Sequence, residues 1–287
     1  MLQKSTLQLL RFKFSLFLMP VYWFALSFID TVNWTNAIII CIILHLIIYP
    51  SSNGYNSYMD MDEESIGGIK NPLKPTKQLF YATLILDIMG VLLSFLISLP
   101  FVVIMLLYII FSRLYSYRGV RLKQYPIVGY LTVITNQGAL VFIAIFMGAG
   151  LESSDALPWI AVIASSFLIG GFYPITQIYQ HKQDRQDGVT TISMLLGIRG
   201  TFYFCAFMYL VAFVLLFVSY NFVSNELNFF IILQLFFLPV IVYFIIWFLK
   251  VYKKETEANF QNTMKMNWIA SIFTNLAFIT ITIIKLF

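Results

Sequence analysis

Nine long apolar runs, separated by polar connections, organise this chain. They cover roughly 13–30, 33–50, 78–98, 101–117, 126–149, 157–179, 201–220, 228–250 and 267–285. Each approaches the about 20 residues that a helix needs to cross the hydrocarbon layer of a bilayer. Barrel strands would alternate apolar and polar residues with period two, and these runs do not. The pattern predicts an all-α, polytopic membrane bundle of nine transmembrane helices, a single domain over residues 1–287. Two polar insertions interrupt it, residues 51–77 and 180–200.

Composition agrees with the pattern. Of 287 residues, 60% are hydrophobic and 11% charged, and mean hydropathy is +0.84. A soluble domain is about half apolar and about a quarter charged. One aqueous core of this length could not hide so much apolar surface. Disorder, a disulfide scaffold, a coiled coil and a nucleic-acid-binding domain are excluded as the main description. Cys41 and Cys205 sit inside apolar runs, so neither a disulfide framework nor a zinc site is expected. No small-residue cleavage site closes the first apolar run, which is therefore read as a retained span.

Charge placement fixes an expected orientation. Lys4, Arg11 and Lys13 precede the first run. All other Lys and Arg except Lys285 fall in or beside the second, fourth, sixth and eighth connections. The odd connections carry Asp30, Glu152, Asp155 and Glu226 instead. Positive residues concentrate on the cytoplasmic side of membrane proteins. The N-terminus and both long insertions are thus expected in the cytoplasm, with the chain a multi-pass protein of the cell membrane.

The two insertions carry the candidate chemistry. In the first, the acidic loop 51–77, Asn56, Asp60 and Glu64 are spaced i, i+4, i+8, which on a helix places them on one face. Such hard oxygen donors suit Mg²⁺ that is also held by substrate phosphates. Lys70 and Lys74 follow a Gly67-Gly68 turn and are expected to return toward the acidic face. In the second, the acidic loop 180–200, Gln180 and Asp184 are i, i+4, Asp187 follows one turn on, and Lys182 and Arg185 are interleaved. Two acidic helix ends with cations fit a diphosphate bridged by Mg²⁺. The plainer alternatives are solvated loops, and for Tyr115, Tyr117, Arg118, Arg121 and Lys123, interfacial anchoring. Asp87, Asn136 and Gln137 fall inside spans, where polar groups are costly and mark either function or interhelical hydrogen bonds. His45 is read as a packed histidine, and His181 as a possible phosphate contact.

In order, spacing and membrane side, these residues resemble the UbiA superfamily of intramembrane prenyltransferases, over nearly the whole chain. That family has nine helices and two aspartate-rich cytoplasmic motifs. Asn56, Asp60 and Glu64 match the first, with Glu in place of the last Asp. Gln180 and Asp184 match the second, with Gln in place of the first Asp. Lys70-Asn71-Pro72 resembles the basic-proline segment after the first motif, and Tyr117-x₃-Arg121 the Tyr-x₃-Lys motif.

The resemblance implies an enzyme that transfers a prenyl group from an allylic prenyl diphosphate to a hydrophobic acceptor, with Mg²⁺ as cofactor. It implies metal ligation by Asn56, Asp60, Glu64, Gln180, Asp184 and Asp187. It implies diphosphate binding by Lys70, Lys182, Arg185 and Arg121, and catalytic roles for Asp60, Asp184, Lys70, Arg121 and Tyr117. The partners implied are the diphosphate, the acceptor and the lipid bilayer, with no nucleic acid. Gln180 offers a carbonyl oxygen without charge, which keeps open a catalytically silent lipid-binding relative. A transporter of an amphipathic solute is the other alternative.

Overall fold

A computed structural model describes residues 2–151, 156–223 and 226–286. Glu152 and Asp155 lie outside the described residues. Helices α1 (Lys4–Leu9) and α2 (Met19–Leu26) flank a 3₁₀ turn, Phe12–Phe17. They are followed by α3 (Trp34–Asp60), α4 (Lys77–Ser94), α5 (Leu99–Ser116), α6 (Pro126–Ala149) and α7 (Trp159–Thr176). The short α8 (His181–Gln186) precedes α9 (Ile192–Phe222), α10 (Leu227–Lys253) and α11 (Phe260–Lys285). Among the described residues eight helices are long and apolar enough to span a membrane, and the bent α1–α2 segment makes a ninth. The chain is a multi-pass membrane protein.

The first span differs from the expected continuous run over 13–30. Arg11 takes a left-handed φ of 49°, which ends α1, and the segment bends by 40° between Phe17 and Met19. The second span also differs: α3 continues past residue 50 to Asp60, so the first ten residues of the loop expected from Ser51 are helical.

Local chemistry sets the other helix ends. Asn33 Oδ1 caps α3 by accepting from Asn36 N at 3.1 Å. Ser98 and Thr191 cap α5 and α9 in the same way. Each such cap contributes about 1 kcal/mol. Inside α9, Gly197 has φ +69°, a left-handed kink that a side chain would strain.

The helices close into one bundle around a single large core. Helix α2 packs against the second half of α6 and against α11, and α7 against α9. Phe24, Phe142 and Phe278, from α2, α6 and α11, are fully buried, with the Phe24 ring meeting Phe142 edge-on and Phe278 at a tilt. The outward faces stay apolar, as with Leu92, Leu96, Leu99, Leu235 and Leu238. Exposed leucines of this kind require lipid as the surrounding solvent.

Two ionisable groups within the spans, Asp87 and His45, have partners. Asp87 pairs with Arg113, which also bonds Thr83 and Ser51 and lies 3.9 Å from the Tyr55 ring centroid. His45 is buried, with Nδ1 3.1 Å from Ser15 O.

Candidate active site

A cavity of about 180 Å³ opens at the end of the bundle where α3 finishes and α8 begins. Its mouth is built from both acidic insertions. Met61 adopts φ 54°, and its N–H caps Ser57 O, so α3 stops immediately after Asp60. That stop overturns the expected stripe. Asn56 and Asp60 share a helix face, with Asn56 Nδ2 donating to Asp60 Oδ2 at 2.8 Å. Glu64 lies beyond the helix and points elsewhere. The chain turn at Met61 brings Asp62 into the cavity lining instead. Asp62 is held there by Gln183 Nε2, which donates to its Oδ1 at 2.6 Å.

From the other insertion, Gln180 and Asp184 line the same cavity as Asn56 and Asp60. Burial pushes the Asp184 carboxyl up to about 7, and Asp60 and Asp62 add to the rise against Lys123. Burial likewise raises Asp62 to about 6, with Asp60 reinforcing it and Lys123 and Arg11 opposing. Acidic groups this crowded and dry demand positive charge.

Two cations missed as site residues supply part of it. Lys123 is buried in the 3₁₀ turn Leu122–Gln124, and its Nζ lies 2.5 Å from Asp60 Oδ1. Arg11 leaves the break between α1 and the first 3₁₀ turn and lines the cavity. Its Nη2 donates to Asn53 O at 3.1 Å and reaches Asn56 Oδ1 at 3.5 Å. Its Nε is buried without a partner. The sequence signalled both only as basic residues flanking spans, which anchoring already explained.

The other expected residues stand outside this cavity. Arg121 is buried, bonded to the Asp187 carboxylate and carbonyl, and 3.7 Å from Asp60 Oδ1. Asp187 also meets Arg118 at 3.3 Å, so two guanidinium groups already engage it. Tyr117 is half exposed, and its carbonyl accepts from Arg121 N at 2.6 Å. Lys70, Lys182 and Glu64 line a separate shallow hollow, where Lys182 Nζ is 2.9 Å from Glu64 Oε1. Arg185 is exposed. The expected return of Lys70 to the acidic face therefore does not occur: the Gly67-Gly68 turn, closed by paired Ile66 and Ile69 hydrogen bonds, directs it outward.

The donor set fits Mg²⁺ with one condition. Among the described residues no three acidic, histidine or cysteine side chains converge on a single point. Mg²⁺ is ordinarily held by one or two carboxylates together with substrate phosphates, not by an all-protein cage. Asp60 Oδ1 is buried without a hydrogen bond, despite its ion pair with Lys123. Of Asp60, Asp62 and Asp184, one or two at a time can thus present an oxygen to a metal whose remaining ligands come from a diphosphate.

Three solved structures share this fold. A UbiA homologue from Archaeoglobus fulgidus bound to DMAPP and Mg²⁺ matches with TM-score 0.71 and 15% identity, over 97% of this chain and 99% of that one. An apo UbiA homologue from Aeropyrum pernix gives 0.69 and 16%, over 94% and 98%. A digeranylgeranylglyceryl phosphate synthase gives 0.62 and 18%, over 98% and 97%. No curated protein matches the chain. Residues 17–269 match the UbiA prenyltransferase family, and with that share of its length the chain belongs to the family.

Proposed function

We propose that this protein transfers a prenyl group from an allylic prenyl diphosphate to a hydrophobic acceptor inside the membrane, with Mg²⁺ as cofactor. The observation that carries the reading is that Asp60, Asp62 and Asp184 line one cavity together with Lys123 and Arg11. Related folds from Archaeoglobus fulgidus hold DMAPP or GPP with Mg²⁺, which supports the same donor class here.

In this reading Asp60, Asp62 and Asp184, one or two to an ion and with the amides of Asn56 and Gln180 beside them, would hold the metal, which would supply charge neutralisation of the leaving diphosphate. Lys123 and Arg11 contact the remaining phosphate oxygens and stabilise charge as the allylic C–O bond breaks. Arg121 acts as a positioning residue, because it touches Asp60 and Asp187 rather than the cavity. Phe14, Phe17, Ile169 and Phe172 line the cavity with apolar surface that excludes water from the allylic cation. The acceptor's electron pair forms the new bond to the allylic carbon, and the proton it loses leaves with the released diphosphate. The mouth faces the cytoplasm, as the placement of Lys and Arg suggests.

The test is transfer of label from radioactive geranyl or geranylgeranyl diphosphate to a panel of acceptors in lipid nanodiscs. Mg²⁺-dependent product formation supports the reading. Donor binding without transfer to any acceptor supports the silent alternative that Gln180 keeps in play.

A further inference from the structure

Below the acidic mouth, one wall of the cavity carries a polar ladder. Asn56 Nδ2 donates to Ser116 Oγ at 3.0 Å. One turn deeper, Ser52 Oγ meets Ser112 Oγ at 2.6 Å. One turn deeper again, the Tyr108 hydroxyl faces Ser52 and Gln137, and Asn136 Nδ2 donates to Tyr108 O at 3.2 Å. Eight residues of α5 separate Ser116 from Tyr108, about 12 Å at 1.5 Å per residue.

The lowest rung is incomplete. Asn136 is only 6% exposed, lines the cavity, and has an Oδ1 with no partner. The amide cannot turn over to relieve this, because the Tyr108 carbonyl only accepts and so requires Nδ2. The backbone also holds the residue in place. Thr135–Leu140 forms a π turn within α6, a feature frequent at functional sites. Gly138 in that turn lies so close to α7 that a Cβ would sit 2.6 Å from Ser166 Cα.

A buried carbonyl oxygen without a donor is costly, and a hydrocarbon tail cannot satisfy it. A ligand group that donates a hydrogen bond can. We infer that Asn136 is a specificity-determining residue for the acceptor, and that the acceptor carries a free O–H which donates to Asn136 Oδ1. The isoprenoid tail then lies against the apolar part of the lining, which includes Phe14, Phe17 and Ile169. This places the acceptor's hydroxylated end deep in the cavity and its reacting atom toward the mouth. The inference rests on the prenyl-transfer reading for the identity of its ligand.

The test measures binding of 4-propylphenol and its O-methyl ether to the purified protein, by ligand-observed NMR, with Mg²⁺ and geranyl diphosphate present. Wild type is expected to bind the phenol roughly tenfold or more tightly than the ether, as loss of one buried hydrogen bond implies. Asn136→Leu is expected to bind the two alike while retaining Mg²⁺-dependent geranyl diphosphate binding. Asn136→Ser, a smaller change, is expected to reduce the discrimination and guards against a Leu variant that does not fold. Equal binding of both probes by wild type, binding of neither, or unchanged discrimination in the folded variants overturns the inference. Failure of geranyl diphosphate itself to bind wild type overturns the prenyl-transfer reading instead, so the two failures are distinct.

Discussion

Lys123 Nζ lies 2.5 Å from Asp60 Oδ1, and both side chains are buried to within a tenth of full enclosure. The pair joins the turn before α6 to the end of α3, so it fixes the mouth of the cavity as well as its charge. Removing one member of a buried pair leaves the other uncompensated. Lys123→Met is therefore expected to lower transfer by about 100-fold or more, on the scale of lost electrostatic stabilisation. Steady-state kinetics on reconstituted protein check this, and a change of under about threefold would remove Lys123 from the machinery.

Asp62 and Glu64 make opposite predictions although two residues apart. Asp62 lines the cavity, while Glu64 pairs with Lys182 in an exposed hollow. Asp62→Asn is expected to cut activity by about 100-fold and to raise the Mg²⁺ concentration needed for half-maximal rate. Glu64→Gln is expected to change either quantity by less than about threefold, since exposed pairs contribute little. The reverse order of sensitivities would restore the uninterrupted helical stripe.

Proton linkage gives a third expectation. Burial pushes the Asp184 carboxyl up to about 7. Its raised value means that the folded protein keeps a proton below about pH 7 that a metal must displace. Mg²⁺ affinity in the presence of donor is therefore expected to rise with pH from about 6 to about 8 and then level. Isothermal titration checks it. Asp184→Asn is expected to flatten the profile.

The Asp87–Arg113 pair ties α4 to α5 and reaches Ser51 and Tyr55 on α3. The pair is largely but not fully enclosed, so removing one partner costs up to about 3–5 kcal/mol, the figure for a buried pair. Asp87→Ala is expected to lower the unfolding temperature in detergent markedly. A variant as stable as wild type would show that the bilayer region tolerates an unpaired Arg113.

Much of this was legible in the sequence. The helical membrane bundle follows from run length and hydropathy, and the family from the order of Asn56, Asp60 and Asp184 between spans. The stop after Asp60 was not legible, because nothing in Met61-Asp62-Glu63 announces a left-handed residue. That turn exchanges Glu64 for Asp62. Lys123 and Arg11 were hidden for another reason: a lysine or arginine at a span end has the same appearance whether it anchors the helix or turns inward. Only packing separates the two. Asn136 and Gln137 stood out as polar residues in a span, but which one lacked a partner required the Tyr108 carbonyl.

In the proposed function both acidic insertions hold one Mg²⁺–diphosphate headgroup. Equilibrium binding of labelled geranyl diphosphate with and without Mg²⁺, for wild type, Asp60→Asn and Asp184→Asn, tests it most directly. Binding is expected to require Mg²⁺ and to be lost to a similar degree in both variants. Binding that is independent of Mg²⁺, or that survives intact in either variant, would contradict it.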